Sequence, residues 1–481
     1  MSIYLSIDLG TTGCRSILFN ETLQPLAYAY EEYGLITPRE GWVEQNAELW
    51  WELSLRTAAS AIQKASLTGG EIDGISISSQ GITVVPVDRD LKPLRTAMTW
   101  LDTRAEEETQ ELISIYGLDT LYRKSGRQAS AALTLPKLLW LKKHEPEIFR
   151  SAWKFLTPME FLVGKLTGNC ITDPSMASGT MLYDLKTQNW DREILDRFEI
   201  GEDRLPTLAS GGDFAGYVLP EVAKRLGLRA DCRVAVGAQD QKCAALGAGL
   251  DEGVMTVSLG TAVAIEKRWS EAKTETNAGV CWCGYVLPDN FVTEGVINTA
   301  GTCLRWLRDM MFRGEDYRVI DEEADQALKR GSSLLFYPYL NGPAAPNYYP
   351  ESEGCFHGVN LATVRGDFAL AVMEGIVFQI RVLLETMEAY GSVHTLVLFG
   401  GGAKSDFWCR IIADATGMRI KVPSTTEAAG AGAAMLAAKA CGKELSSLLC
   451  EKTYEPSERA NDYEQKYQKF RAIEKRLWKQ E

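Results

Sequence analysis

Apolar and polar residues alternate in two stretches that lie about half a chain apart. Residues 3–19 read IYLSIDLGTTGCRSILF and are interrupted at Gly10-Thr11, whereas residues 254–267 read VMTVSLGTAVAIEK and are interrupted at Gly260-Thr261. Alternation with a period of two around a glycine predicts a β-hairpin in each stretch. Two hairpins of the same plan predict two domains that are built alike.

Strand and helix patterns alternate between and after the hairpins. Asn46 is a plausible N-cap for the first predicted helix. Helical spacing of apolar residues, or a run of small residues, predicts helices at 47–65, 135–143, 158–166, 241–246, 300–311, 368–390, 406–416 and 427–440. Short apolar runs predict further strands at 72–78, 83–87, 234–236 and 395–399. This alternation predicts an α/β chain with a boundary near 247–253, so that domains 1–247 and 248–481 face a central cleft.

Composition narrows the class of protein. The 481 residues carry a formal net charge of −13 and no dominant basic cluster, which argues against a nucleic-acid partner. Eleven scattered cysteines argue against a disulfide framework, and Cys281-Trp282-Cys283 lacks the second pair that a zinc site needs, so a strand is the better interpretation. No signal peptide and no apolar run of about 18 residues is present. We therefore expect a cytoplasmic protein without a membrane partner.

The first hairpin carries residues that suit a polyphosphate. Glycine lets backbone N–H groups approach a phosphate, threonine hydroxyls add donors, and a carboxylate at a strand end can hold Mg²⁺. The candidates are Asp8, Thr11, Thr12, Gly13 and Arg15. An ordinary turn is the alternative for a single Gly-Thr-Thr. The second hairpin favours the phosphate interpretation, because two loops on opposite walls could hold one polyphosphate.

Asp240 lies where a short strand turns into a helix. A carboxylate in a cleft can accept the proton of a hydroxyl that attacks phosphorus. The alternative is a helix N-cap, which contributes about 1 kcal/mol to stability. Two other segments offer binding groups: the triple glycine at 400–402, which can lie flat against a nucleotide, and Trp100, which is followed closely by Asp102 and Arg104.

Several segments together resemble the FGGY carbohydrate kinase family of the actin-like ATPase superfamily, in order and nearly from end to end. The matching segments are residues 7–15, 41–46 (GWVEQN), 78–80 (SSQ), 99–104 (TWLDTR), 166–168, 173–184 (DPSMASGTMLYD), 237–249, 258–261, 300–307, 400–417 (GGGAKSDFWCRIIADATG) and 427–429. The resemblance implies two RNase H-like domains facing a catalytic cleft, closure on the sugar, the use of ATP and Mg²⁺, and a homodimer.

Matching positions carry the family's roles to this chain. The resemblance implies that Asp240 is the catalytic base and that Asp8 lies at the metal. It implies a first phosphate loop at Thr11, Thr12, Gly13 and Arg15 and a second at Gly260 and Thr261. The implied nucleotide contacts are Gly301, Arg305, Gly401, Gly402, Ala403 and Asp406. The implied sugar contacts, besides Asp240, are Gln80, Gly81, Ile82, Asp102 and Gln241.

Departures from the family pattern concern the sugar. Gly81 and Ile82 stand where glycerol kinases have Arg-Glu and xylulokinases have Met-His, and Gln241 stands where xylulokinases commonly have Asn. Ala132 and Ala264 occupy the approximate positions of aromatic pocket residues in glycerol kinases. We therefore expect a ketopentose such as xylulose, or a related ketose or polyol, rather than glycerol. A sugar acid bound through Arg127, and a nucleotide-binding regulator without turnover, are the alternatives.

Overall fold

Both predicted hairpins are present, and each lies within a larger β-sheet. The computed structural model describes residues 2–275, 279–342, 349, 351–388 and 393–478. The strands of the first half are β1 (Ile3–Leu9), β2 (Gly13–Asn20), β3 (Pro25–Glu32), β4 (Glu44–Gln45), β5 (Ile72–Ser79), β6 (Val85–Val87), β7 (Ala97–Met98), β8 (Lys154–Leu156), β9 (Ile171–Thr172), β10 (Tyr183–Asp184), β11 (Asn189–Trp190), β12 (Thr207–Leu208), β13 (Phe214–Tyr217), β14 (Arg233–Ala235) and β15 (Ala238–Gln239). The helices are α1 (Ala47–Lys64), α2 (Glu106–Tyr116), α3 (Leu118–Ser125), α4 (Thr134–His144), α5 (Pro146–Ser151), α6 (Pro158–Thr167), α7 (Pro174–Ser178), α8 (Arg192–Arg197), α9 (Pro220–Leu226) and α10 (Asp240–Ala248).

The first sheet has the strand order β13-β14-β5-β1-β2-β3, and β15 also pairs with β5. Strand β1 is antiparallel to β2 and parallel to β5, so Asp8 lies opposite Arg15 on one side and Ser78 on the other. Helix α1 begins after Asn46, whose side chain accepts a hydrogen bond from the N–H of Glu48. The pairing of β1 with both neighbours fixes Asp8 near the end of a central strand.

The second half repeats this plan. Its strands are β16 (Val254–Leu259), β17 (Val263–Trp269), β18 (Cys281–Gly284), β19 (Phe291–Ile297), β20 (Leu335–Tyr337), β21 (Cys355–His357), β22 (Thr395–Phe399), β23 (Arg419–Pro423) and β24 (Cys450–Tyr454). Its helices are α11 (Ala300–Met311), α12 (Tyr317–Lys329), α13 (Arg365–Glu388), α14 (Asp406–Thr416), α15 (Ala428–Ala440) and α16 (Ala460–Trp478). The second sheet has the order β18-β19-β17-β16-β22-β23-β24, with β16 antiparallel to β17 and parallel to β22. We call the parts built on the two sheets the first and second lobes.

Helices α10 and α15 pack against each other with their backbones in close contact. A Cβ atom on Gly432 would lie 1.9 Å from the carbonyl oxygen of Cys243, and one on Gly247 would lie 2.1 Å from that of Ala428. Small residues on α15 also pack with Tyr4 and Phe19 of the first sheet. A helix from the second half of the chain therefore helps to form the core of the first lobe.

Most predicted elements are present with small changes at their ends. The strand predicted from residue 83 begins at Val85, and the helix predicted from residue 368 begins earlier, at Arg365; its predicted end, Tyr390, lies outside the described residues. The 281–283 segment is a strand, as predicted, and all eleven cysteines are free thiols. No helix in the described ranges is long and apolar enough to cross a membrane.

Candidate functional site

A cavity of about 210 Å³ lies beside Asp240, and residues from both lobes line it. Cys283 and Glu294 come from β18 and β19 of the second lobe, and the rest of the lining comes from the first half of the chain. The cavity brings together these predicted residues: Thr11, Gln80, Gly81, Ile82, Asp240 and Gln241.

Asp240 is the first residue of α10. The N-cap is Gln239, which makes no capping hydrogen bond with its side chain, so the N-cap alternative for Asp240 is wrong. The carboxylate oxygen Oδ1 accepts hydrogen bonds from Gln239 Nε2 (2.6 Å) and from the N–H of Gln241 (2.8 Å). The other oxygen, Oδ2, accepts no hydrogen bond from the described residues. The carboxylate is thus held at one oxygen and open at the other.

The electrostatic setting of Asp240 is that of a proton acceptor. Burial raises the pKa of its carboxyl group to about 7, and the nearby charge of Asp8 adds to the increase. Burial also raises the pKa of Asp8, against the opposing effects of a hydrogen bond from Ser78 Oγ (2.8 Å) and the charge of Arg15. The negative charge of Asp8 therefore favours the protonated form of Asp240, which suits a group that must take up a proton.

Two buried amide oxygens in the cavity lining have no partner among the described residues. They are Oε1 of Gln80 and Oε1 of Gln239. The amide nitrogen of Gln80 donates to Gln45 Oε1 (2.7 Å), and Gln45 donates in turn to the carbonyl of Thr11 (2.6 Å). Because unpaired buried acceptors cost free energy, a ligand with several hydroxyl donors would satisfy both.

An apolar wall lies on another side of the cavity. Ile82 has a backbone φ of 68°, in the left-handed region that a β-branched residue rarely adopts. Its side chain packs so closely against Gly179 that a Cβ atom there would lie 2.9 Å from Ile82 Cγ1. Met176 continues this wall. The small residues at 81 and 179 leave room where a bulky pair would fill the space.

Trp100 links the cavity to the first hairpin. Its Nε1 donates a hydrogen bond to Thr11 Oγ1 (2.9 Å). The ring lines the cavity and is partly exposed to it. The loop between β1 and β2 is therefore fixed by the same side chain that borders the cavity.

Around this loop, Gly13 and Arg15 have structural partners. A Cβ atom on Gly13 would meet the ring of Tyr30 at 2.5 Å, so a larger residue there would have to displace that ring. Arg15 forms an ion pair with Glu427 (2.6 Å), just before α15, and lies over the Tyr30 ring. Thr12 is exposed at the tip of the loop.

The second hairpin lies against the start of α11. The N–H groups of Gly301 and Thr302 donate to the carbonyls of Gly260 (3.2 Å) and Thr261 (3.1 Å). A Cβ atom on Gly301 would lie 2.2 Å from the Gly260 carbonyl oxygen. Gly400, with a φ of 90°, packs against Leu259 and brings the triple glycine to the end of β16.

Several predicted residues lie elsewhere or have other partners. Asp102 is fully buried, and its carboxylate accepts from the N–H of Val43 (2.7 Å) and from Arg104 (2.7 Å), so it stabilises a loop and does not line the cavity. Asp406 accepts from Lys452 and Tyr454.

Among the remaining predicted nucleotide contacts, Ala403 is buried and Gly401 and Gly402 are at least partly exposed. Arg305 is exposed and has no ion-pair partner in the part of the chain that the structure describes. It is therefore accessible to a ligand.

Seven lining residues had no predicted role, namely Ser175, Met176, Gly179, Gln239, Lys242, Cys283 and Glu294. A lysine within the small residues of α10 and a glutamate within the apolar strand FVTEGVI are both unusual, and these signals could have marked them. Cys283 has no comparable sequence signal.

Comparison with known families covers most of the chain. The family model described as the FGGY family of carbohydrate kinases, N-terminal domain, matches residues 3–247, and that of the C-terminal domain matches residues 255–441. Among curated proteins, a xylulose kinase of Bacillus subtilis (strain 168) is 33% identical over 444 residues, which cover 92% of this chain and 89% of the relative.

Solved structures agree with this match. A ligand-bound xylulose kinase from Lactobacillus acidophilus has a TM-score of 0.92 and 26% identity over 99% of this chain and 98% of that one. A gluconate kinase from the same organism has a TM-score of 0.91, also at 26% identity, with the same coverage. The predicted α/β fold with two domains facing a cleft is confirmed.

Proposed function

The chain belongs to the FGGY family of carbohydrate kinases, and on that premise we propose that it phosphorylates a ketopentose such as xylulose, or a related ketose or polyol, with Asp240 as the general base. The kinase class follows from the family, and the preference for xylulose is supported by relatives of that activity that match more than nine-tenths of the chain. The observation that carries the proposal is the Asp240 carboxylate, open at Oδ2 beside unpaired acceptors at Gln80 and Gln239.

The mechanism follows from these groups. The sugar lies in the cavity with one hydroxyl against Asp240 Oδ2, while Gln80 Oε1 and Gln239 Oε1 accept hydrogen bonds from other hydroxyls. Asp240 takes the proton as the hydroxyl oxygen attacks the terminal phosphorus of ATP, so the new O–P bond replaces the bond to ADP. A pKa near 7 suits this transfer, because about half of the groups are ionised at neutral pH, more at slightly alkaline pH, and the carboxylate is basic enough to accept the proton.

Kinases of this family use ATP with Mg²⁺, and the carboxylates present fit the ion. Mg²⁺ is usually held by one or two carboxylates together with phosphate oxygens. Asp8 and Asp240 supply such a pair, and the charge of Asp8 is near enough to raise the pKa of Asp240. Bound Mg²⁺ would neutralise charge on the phosphates. We assign Asp8 to the metal.

The two hairpins would hold the phosphates. Thr11, Thr12 and Gly13 border the first side, and Gly260 and Thr261, backed by the start of α11, border the second. Arg15 would have to exchange its contact with Glu427 for a phosphate. We assign the nucleotide to Gly301, Arg305 and the 401–403 backbone; a contact with Asp406 stays a prediction.

The proposal also covers organisation. We assign sugar binding and the base to residues 1–247, ATP binding to residues 248–481, and a homodimeric state that sedimentation analysis would test. The free thiols suit a reducing cytoplasm, where ATP is supplied.

A sugar panel with coupled ADP detection tests the proposed reaction. We expect Asp240→Asn to fold normally and to lose roughly 10³-fold or more in kcat, because the attacking hydroxyl keeps its proton. Asp231→Asn, at an exposed turn just before β14 and outside the cavity lining, is the matched control and should keep wild-type turnover. Wild-type turnover in Asp240→Asn would contradict the assignment, and ATP binding without product for every sugar would favour a regulator.

A sugar acid is the second candidate, and Arg127 is the observation that favours it. This arginine lines the cavity, its guanidinium donates weakly to Cys283 Sγ (3.4 Å), and it has no ion-pair partner within the described ranges. A guanidinium with free donors could bind a carboxylate in bidentate fashion. A higher kcat/KM for gluconate than for xylulose, lost in Arg127→Met, would favour this candidate.

A further inference from the structure

The second lobe places one charged side chain in the cavity. Glu294 lies on β19 and is mostly buried, with 13% of its side chain exposed. Its Oε2 is bound by Lys242 Nζ. Its Oε1 accepts no hydrogen bond from the described residues, although the side chain lines the same cavity as Asp240. One carboxylate oxygen is thus held and the other is available.

Lys242 holds two glutamates at once. Glu266 and Glu294 lie directly opposite each other on β17 and β19, where like charges repel. Lys242 Nζ lies 3.0 Å from Glu266 Oε1 and also contacts Glu294. The lysine is 2% exposed, so this contact is formed away from bulk water. Glu294 is therefore fixed in position.

The same lysine connects the glutamate to the base. Lys242 follows Asp240 by two residues on α10. It therefore joins the helix that carries the base to two strands of the second sheet. A ligand that contacts both Asp240 and Glu294 would be held by both lobes at once.

Charge indicates the chemistry of that ligand. The positive charges of Lys242 and Arg127 balance the negative charges of Glu266 and Glu294, so the group is formally neutral. A free carboxylate oxygen accepts hydrogen bonds from hydroxyl donors and repels a second carboxylate. A neutral polyhydroxyl compound fits this end of the cavity better than a sugar acid does.

We propose that Glu294 is a specificity-determining residue that accepts hydrogen bonds, through Oε1, from sugar hydroxyls other than the one phosphorylated, and that Lys242 is the positioning residue for it. This inference rests on the proposed function. It predicts that the enzyme selects neutral sugars that carry hydroxyls beyond the reacting one. It also predicts that part of the sugar site forms only where the two lobes meet.

Steady-state kinetics on the best neutral sugar tests the role of Glu294. We expect Glu294→Gln and Glu294→Ala to raise the KM for the sugar about 10- to 100-fold, while the KM for ATP changes less than twofold. Glu221→Gln, an exposed glutamate on α9, is the control and should match the wild type. An unchanged sugar KM in Glu294→Ala would overturn the inference and leave the kinase assignment intact.

Deoxy analogues of the same sugar give a sharper comparison. The wild type should prefer the parent sugar over the analogue that lacks the contacted hydroxyl by roughly 10²-fold or more, because that analogue leaves Oε1 of a mostly buried carboxylate without a hydrogen bond. Glu294→Ala should lose most of this preference. Equal preference in the variant and the wild type for every analogue would overturn the proposal. If the wild type phosphorylates no neutral sugar, the proposed function fails and the inference fails with it.

The test of Lys242 must distinguish the positioning of Glu294 from a general structural role. We expect Lys242→Met to raise the sugar KM as Glu294→Ala does, and Lys242→Arg to restore most of it, with the KM for ATP unchanged. Because Lys242→Met leaves two carboxylates without a cation, Lys242→Met with Glu266→Gln serves as the variant that retains charge balance. Parallel changes in both KM values would indicate a general structural defect and overturn the positioning role.

Discussion

The two hairpins share a backbone plan but carry different chemistry. In the first, Asp8 lies opposite Arg15 two residues before the glycine; in the second, Ser258 lies opposite Ala264 at the same place. The first loop is fixed by side chains, including Gln45 and Trp100, and the second by backbone groups at the start of α11. The repeated fold thus supplies two similar loops, and only in the first does a charged pair lie two residues before the glycine.

The largest expected effect comes from removing the carboxylate of the first hairpin. Asp8→Asn should lower kcat roughly 10²- to 10³-fold, because a carboxylate that stabilises transferred charge is lost. Ser258→Ala, the equivalent change in the second hairpin, should alter kcat less than threefold. Steady-state kinetics with saturating ATP and Mg²⁺ measures both. Equal losses would show that the two hairpins share the charged role.

The pH profile tests the carboxyl pair on the first side. Because burial and Asp8 raise the pKa of Asp240 to about 7, the base is protonated below that pH. The kcat/KM for the sugar should therefore fall about tenfold per pH unit below the pKa. Asp8→Asn should move the midpoint to lower pH, since the repelling charge is gone. A flat profile from pH 5 to 8 would contradict this account.

The role of the second hairpin in ATP binding is tested by a larger side chain where the hairpin contacts α11. Gly301→Ala places a Cβ atom against the Gly260 carbonyl, so the loop must shift. We expect the KM for ATP to rise about tenfold while the KM for the sugar changes little. Gly34→Ala, where no atom lies within 4 Å of the new Cβ, is the control. A matching rise in the KM for the sugar would mean that the second hairpin affects sugar binding as much as it affects ATP binding.

The smallest effect concerns stability. The folded-state pKa of Asp240 is raised above its unfolded value, so stability is lost as pH rises from about 4 to 7. Asp240→Asn has no such charge. At pH 8 it should be more stable than the wild type by about 1–2 kcal/mol after allowance for its partial exposure, and the gain should shrink toward pH 4. Thermal unfolding at several pH values measures it, and a gain independent of pH would point to another cause.

Sequence patterns predicted the fold well where periodicity is local. The hairpins and the helices at 300–311 and 406–416 have the predicted bounds or nearly so, because alternation and helical spacing are set by neighbouring residues. Strand ends such as Val85 depend on pairing with a distant strand, here β8, and were less accurate. The kinase family also followed from the order of short motifs.

The site was predicted less completely. Asp240 and Gln80 reach the cavity as expected, yet Asp102 is held by Arg104, and sequence spacing does not distinguish a buried ion pair from a ligand contact. Glu294 lies 54 positions after Asp240, and only the pairing of β17 with β19 and the approach of α10 bring it to the cavity. Such residues come from the far side of a tertiary interface, where local pattern carries no information.

Helix α15 has a consequence for the way the two halves of the gene can be handled. Its small residues complete the core over β1 and β2, although they are encoded nearly 200 positions after the first sheet ends. A fragment that stops at residue 247 would present that apolar face to water and would be prone to aggregate. The two halves of the chain therefore share one core. We expect that either half must be expressed together with the other in order to fold.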